Sequence, residues 1–129
     1  MTSIYTGRII TSSVLLILLV VAGIYIHRTG KPYNTFVFTV HKLFTVAMII
    51  IMFITVKNYL GATDVSSLLY LLVGGAGLAL AGLLISGGMM SLDKLQETML
   101  VIHRICTGVF LVSYSILAWF MLTNTTNKL

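Results

Sequence analysis

Leu100–Ser113, LVIHRICTGVFLVS, sets a histidine and an arginine inside an otherwise apolar run of membrane-spanning length. Thr39–Ile51, TVHKLFTVAMIII, does the same with His41 and Lys42. An ionisable side chain at membrane depth is costly and, where it occurs, faces the protein interior or an aqueous cavity. Each such residue is therefore a functional-site hypothesis, and two in matching places point to one shared site.

The rest of the composition makes membrane depth the right frame. Of 129 residues, 58% are hydrophobic and 9% charged, with a mean hydropathy of +1.06, against roughly 25% charged in soluble domains. The apolar segments follow one another with short polar breaks, leaving no room for a separate soluble domain. A net charge of +5 points to nucleic acid in a soluble chain, but here the basic residues gather at segment ends, where they anchor to lipid headgroups. No nucleic-acid partner is expected. The single cysteine, Cys106, lies in an apolar segment and excludes an intrachain disulfide. The first apolar run is long for a signal peptide and ends in Tyr25-Ile26-His27-Arg28 rather than in small residues, so it is expected to stay as a helix.

Taken in order, the chain predicts four transmembrane helices, about 7–27, 33–57, 65–86 and 91–123, in a single domain. At ~1.5 Å per residue each is long enough for a ~30 Å hydrocarbon core. Gly30 suits a positive-φ turn and Pro32 the first turn of the second helix. Asn58 to Thr63 is the expected second connection, with Asp64 as N-cap of the third helix. Gly87-Gly88 is expected to end that helix, and Asp93 to lie in the first turn of the fourth. Such short connections make an all-α, up-down-up-down four-helix bundle. Arg28, Lys31, Lys42, Lys94 and Arg104 lie at the ends joined by the first and third connections, against Arg8, Lys57 and Lys128 opposite. That excess marks the first side as cytoplasmic and both termini as non-cytoplasmic. The small residues of the third helix, from Gly74 to Gly88, suit close helix packing and also leave space for a flat cofactor.

In such a bundle the second and fourth helices run parallel, and His41 and His103 come at similar depth. Diagonal helices build bundle cofactor sites, and two neutral imidazoles suit the axial positions of a haem iron. His41 and His103 are thus the expected metal ligands, with haem b as cofactor. Counting in threes and fours, His41 shares a face with Phe38, Phe44, Thr45, Met48 and Met52, and His103 with Met99, Thr107, Phe110 and Tyr114. These faces suit a porphyrin plane and equally an ordinary helix interface. Lys42 and Arg104, with Arg28 and Lys31, are candidates to neutralise haem propionates, the alternative being snorkelling to headgroups. His27 at the membrane boundary is read as an interfacial residue.

The run IYIHRTGKPYNTFVFTVHKLFTVAMIIIMF resembles the hairpin of the cytochrome b561 family, in which a helix ends in an aromatic-Arg pair, a basic loop follows, and the next helix carries a histidine. LQETMLVIHRICTGVFLVSYSI looks like the later helix that supplies the partner histidine. The resemblance implies a cytoplasmic-side haem b on His41 and His103, with Arg28 and Lys31 near a reductant such as ascorbate. The family's second haem needs further histidines, and this chain has only His27, His41 and His103. The expectation is therefore a single-haem protein exchanging electrons with a quinone or small reductant at one face, alone, as a homodimer, or in a larger membrane complex. VIHRICTGVFL is also similar to the S-x-x-H-R-x-T-G run in the membrane anchor of succinate dehydrogenase, with one extra residue before the threonine and no matching serine. Two alternatives remain: a cofactor-free accessory or scaffolding subunit, and a quinone-site or proton-carrying protein. For the last, the only acids are Asp64, Asp93 and Glu97, none of them mid-membrane.

Overall fold

Segments this apolar have no water with which to pair their backbone, so every N–H and C=O must be satisfied within the segment, and the helix is the conformation that does so. The computed structural model describes residues 2–62, 67–92 and 95–126, and among them it contains four α-helices and no strand. They are α1 (Thr2–Thr29), α2 (Thr35–Ala62), α3 (Ser67–Ser91) and α4 (Gln96–Thr126). All four are long and apolar enough to cross a membrane. Large side chains such as Ile17, Phe53, Leu78, Ile105, Val112 and Trp119 lie exposed. In water so much exposed apolar surface would be a liability, whereas in lipid it is the solvated face. The chain is thus an all-α, four-helix, multi-pass membrane protein.

The chain divides after Thr63 into two compact units, each a helix hairpin. In the first, Tyr5 stacks edge-on with Tyr59 at 6.5 Å, its hydroxyl donates to the Asn58 carbonyl at 3.3 Å, and Gly23 of α1 meets His41 of α2. In the second, Gly75, Gly82 and Gly87 of α3 face Ser113, Cys106 and His103 of α4. In both units the pairings advance along one helix while receding along the other, as an antiparallel hairpin requires. Buried positions recur at steps of three, four or seven residues: Leu69, Ala76, Ala79 and Ser86 on α3, and Phe110, Tyr114, Leu117 and Met121 on α4. This is the spacing of ridges that pack at a shallow crossing angle. Small side chains on α3 opposite large ones on α4 let the two backbones approach closely.

Several boundaries differ from the sequence expectation, each for a local reason. Helix α2 begins at Thr35 because Asn34 caps it: its Oδ1 accepts from the Phe36 and Val37 amides at 3.1 and 3.2 Å. Pro32 therefore lies in the connection, before the helix, and Gly30 takes the positive φ of 65°. Asn58 to Ala62, expected to be connection, continues α2, held by Tyr59, which is buried. Helix α3 runs through Gly87-Gly88 to Ser91, where the Ser91 hydroxyl donates to the Gly87 carbonyl at 3.0 Å. Glycine breaks a helix by gaining freedom and hydration, and an apolar surround with a packed partner removes the hydration. Helix α4 starts at Gln96, preceded by Leu95 at φ 49°, and carries Glu97 in its first turn. Asp64, Asp93, Lys94 and Lys128 lie outside the described residues.

Candidate functional site

Each hairpin brings one histidine to its packed seam by the same local device. The pentapeptides His41-Lys42-Leu43-Phe44-Thr45 and His103-Arg104-Ile105-Cys106-Thr107 repeat one pattern of histidine, cation and threonine. The hydroxyls of Thr45 and Thr107 donate to the His41 and His103 carbonyls one turn back, at 2.8 and 2.7 Å. A hydroxyl at this depth needs a partner, and the helix's own carbonyl is the nearest one. One turn of threonine thus stays satisfied without disturbing the histidine side chain.

The glycines facing the rings also correspond. A Cβ on Gly23 would lie 3.6 Å from His41 Cε1, and one on Gly87 would lie 3.6 Å from His103 Cε1. Both imidazoles are half-buried, and the Nδ1 atom of His41 is fully enclosed. His103 Nδ1 lies 2.9 Å from the hydroxyl of Ser86, a residue with no exposed surface. That hydroxyl also contacts the Gly82 carbonyl at 2.6 Å and the Leu83 carbonyl at 3.3 Å. Ring placement is therefore set by the neighbouring helix of the same hairpin, through a glycine in both units and a hydroxyl in the second.

The side chains expected to share a face with the histidines differ in burial. Met48, Phe110 and Tyr114 are buried, while Phe38, Phe44, Thr45, Met52, Met99 and Thr107 are half-buried. Phe110 and Tyr114 stack at 6.1 Å. The cations behave differently: Arg28, Lys31, Lys42 and Arg104 are all exposed. Lys31 and Lys42 are gathered around one aromatic pair, with Tyr33 and Phe38 stacked at 5.7 Å, Lys42 Nζ 4.3 Å from the Phe38 ring and Lys31 Nζ 5.8 Å from the Tyr33 ring. This is the geometry of ammonium groups resting on aromatic faces while reaching back toward the helix start. His27 is exposed in the last turn of α1, consistent with an interfacial residue.

Whether these residues suit a haem iron is a question of donor chemistry. Imidazole nitrogens suit iron, and each ring lies against a glycine of its own hairpin. Among the described residues no three His, Cys, Asp or Glu side chains cluster, so multi-ligand metal sites have no candidate there, whereas a bis-imidazole haem draws only two ligands from protein. Each histidine, taken within its own hairpin, offers a nitrogen donor of the kind that iron accepts. Ser86 and Gly23 were the parts that sequence reasoning missed. Their signal was the pair Ala22-Gly23 on α1 matched by Ser86-Gly87 on α3, each at a similar distance ahead of its histidine.

No protein-family profile, curated protein or solved structure matches this chain.

Proposed function

We propose that the chain is a b-type electron-transfer membrane protein that binds one haem, with His41 and His103 as the residues that would hold its iron. The observation that carries the reading is the repeated seat: an imidazole on the second helix of each hairpin, set against a glycine of the first. A membrane chain this poor in ionisable groups keeps two histidines on its packed seams, where each must be stabilised by specific partners. When bound, haem would supply a one-electron carrier, and two imidazole ligands would favour electron transfer over oxygen chemistry. The chain's own contribution is to hold two neutral nitrogen donors in an apolar surround and to keep water away from them. Arg28, Lys31, Lys42 and Arg104 offer cationic donors to propionates or to an anionic reductant at the same membrane face.

The excess of basic residues at that face also supports a cytoplasmic connection between α1 and α2, with both termini on the other side. A quinone or small reductant is the proposed electron partner. Absorption spectra of the purified protein, oxidised and then dithionite-reduced, test the reading. A reducible Soret band with α-band is expected, and a colourless protein purified from haem-replete cells overturns it.

One observation favours a second reading, a cofactor-free accessory subunit. Gly74, Gly77, Ala81 and Gly88 of α3 lie exposed, away from the α4 seam, and small residues on a membrane helix favour a further close helix contact. A stable colourless assembly with another membrane protein is the outcome that reading predicts.

A further inference from the structure

We propose that Ser86 is the positioning residue for His103, taking the hydrogen of Nδ1 and thereby presenting Nε2 as the electron-pair donor. A serine hydroxyl owns one hydrogen. Ser86 Oγ lies 2.6 Å from the Gly82 carbonyl oxygen, which has no hydrogen of its own. Two oxygens approach that closely only with a hydrogen between them, so the serine hydrogen points at Gly82. Oγ consequently meets His103 Nδ1, 2.9 Å away, with a lone pair, and the hydrogen in that contact comes from the ring. The Leu83 carbonyl, which lies 3.3 Å from the same Oγ, is a second acceptor in this surround. A neutral imidazole carries one N–H, so its lone pair is then on Nε2.

The first hairpin supplies an internal contrast. His41 meets Gly23 as His103 meets Gly87, but the residue before Gly23 is Ala22 and the residue before Gly87 is Ser86. At the position before the glycine, the hydroxyl is thus present in the second hairpin only. Metal-ligating histidines characteristically donate their other N–H to a fixed acceptor, which sets the tautomer, orients the ring and raises its basicity. The consequence for haem rests on the haem reading above, whereas the tautomer itself does not.

The experiment uses full-length, haem-free protein in lipid, labelled with ¹⁵N-histidine, because protonated and bare ring nitrogens are resolved by their nitrogen resonances. His103 is identified by the signals missing from His103→Gln. Wild-type protein is expected to show His103 protonated at Nδ1, and Ser86→Ala to lose that preference while His41 and His27 keep theirs. Ser86→Cys, close in size and a weaker acceptor, is expected to fall between. In the haem-loaded protein, Ser86→Ala is expected to weaken haem binding about 10–100-fold. A wild-type ring protonated at Nε2, or a preference for Nδ1 untouched by Ser86→Ala, overturns the proposal; should that variant fail to fold, the wild-type spectrum decides. Failure of the haem reading is a separate result, seen as a wild-type protein that takes up no haem while its histidine spectrum is as expected.

Discussion

At the scale of single residues, the seams of both hairpins are built by what sits opposite glycine. A Cβ on Gly82 would lie 2.6 Å from Cys106 Sγ, closer than non-bonded Cβ contacts come, whereas one on Gly74 has nothing within 4 Å. Gly82→Ala is therefore expected to destabilise the second hairpin by about 1 kcal/mol, with Cys106→Ala restoring most of it, and Gly74→Ala to stabilise by up to about 1 kcal/mol through helix propensity. Unfolding in mixed detergent micelles reads both, and equal effects at the two glycines would contradict the packing described. Ligation makes its own residue-scale prediction. His41→Ala and His103→Ala are each expected to abolish haem binding and His27→Ala to leave it intact, as measured by haem-to-protein stoichiometry. Stoichiometric haem in either of the first two variants would show the ligand assignment to be wrong.

At the scale of elements, helix ends are decided by side chains that sequence periodicity does not register. Asn34 starts α2 by accepting two amides, and Asn34→Ala is expected to cost about 1 kcal/mol of stability, with fraying confined to the first turn in hydrogen exchange. Unchanged protection at Phe36 and Val37 would count against the cap. The same logic explains why α3 outlasts two consecutive glycines. Gly87 carries the His103 ring against it and a serine hydroxyl on its carbonyl, so the helix there is held from outside. The histidine, cation and threonine pattern is likewise an element-scale feature. It recurs on α2 and α4 because each helix must satisfy a hydroxyl and a ring on the stripe that faces its hairpin partner.

At the scale of the molecule, the described residues form four helices of membrane-crossing length in two hairpins. The proposed orientation, with the basic α1–α2 connection in the cytoplasm, predicts that a periplasm- or lumen-dependent reporter fused after Leu129 is active and that the same reporter inserted at Lys31 is silent. The reverse pattern would invert the assignment. Replacing Arg28, Lys31 and Lys42 together with glutamine is expected to weaken or invert the orientation, since short-loop lysine and arginine set it. Their exposed position, with both lysines resting on aromatic rings, is what such an anchor requires.

The sequence alone determined the class of protein, the number of spans, the two histidines worth singling out and the residues that share their faces. Those properties follow from hydropathy and from the helical repeat, both of which are local and additive along the chain. The tertiary structure decided what no single segment contains: that Asn58–Ala62 and Gly87–Ser91 remain helical, that Gly23 and Gly87 seat the two rings, and that Ser86 meets His103 Nδ1. Each depends on a side chain of one helix arriving beside another, and a contact of that kind leaves no periodic trace in either helix read by itself.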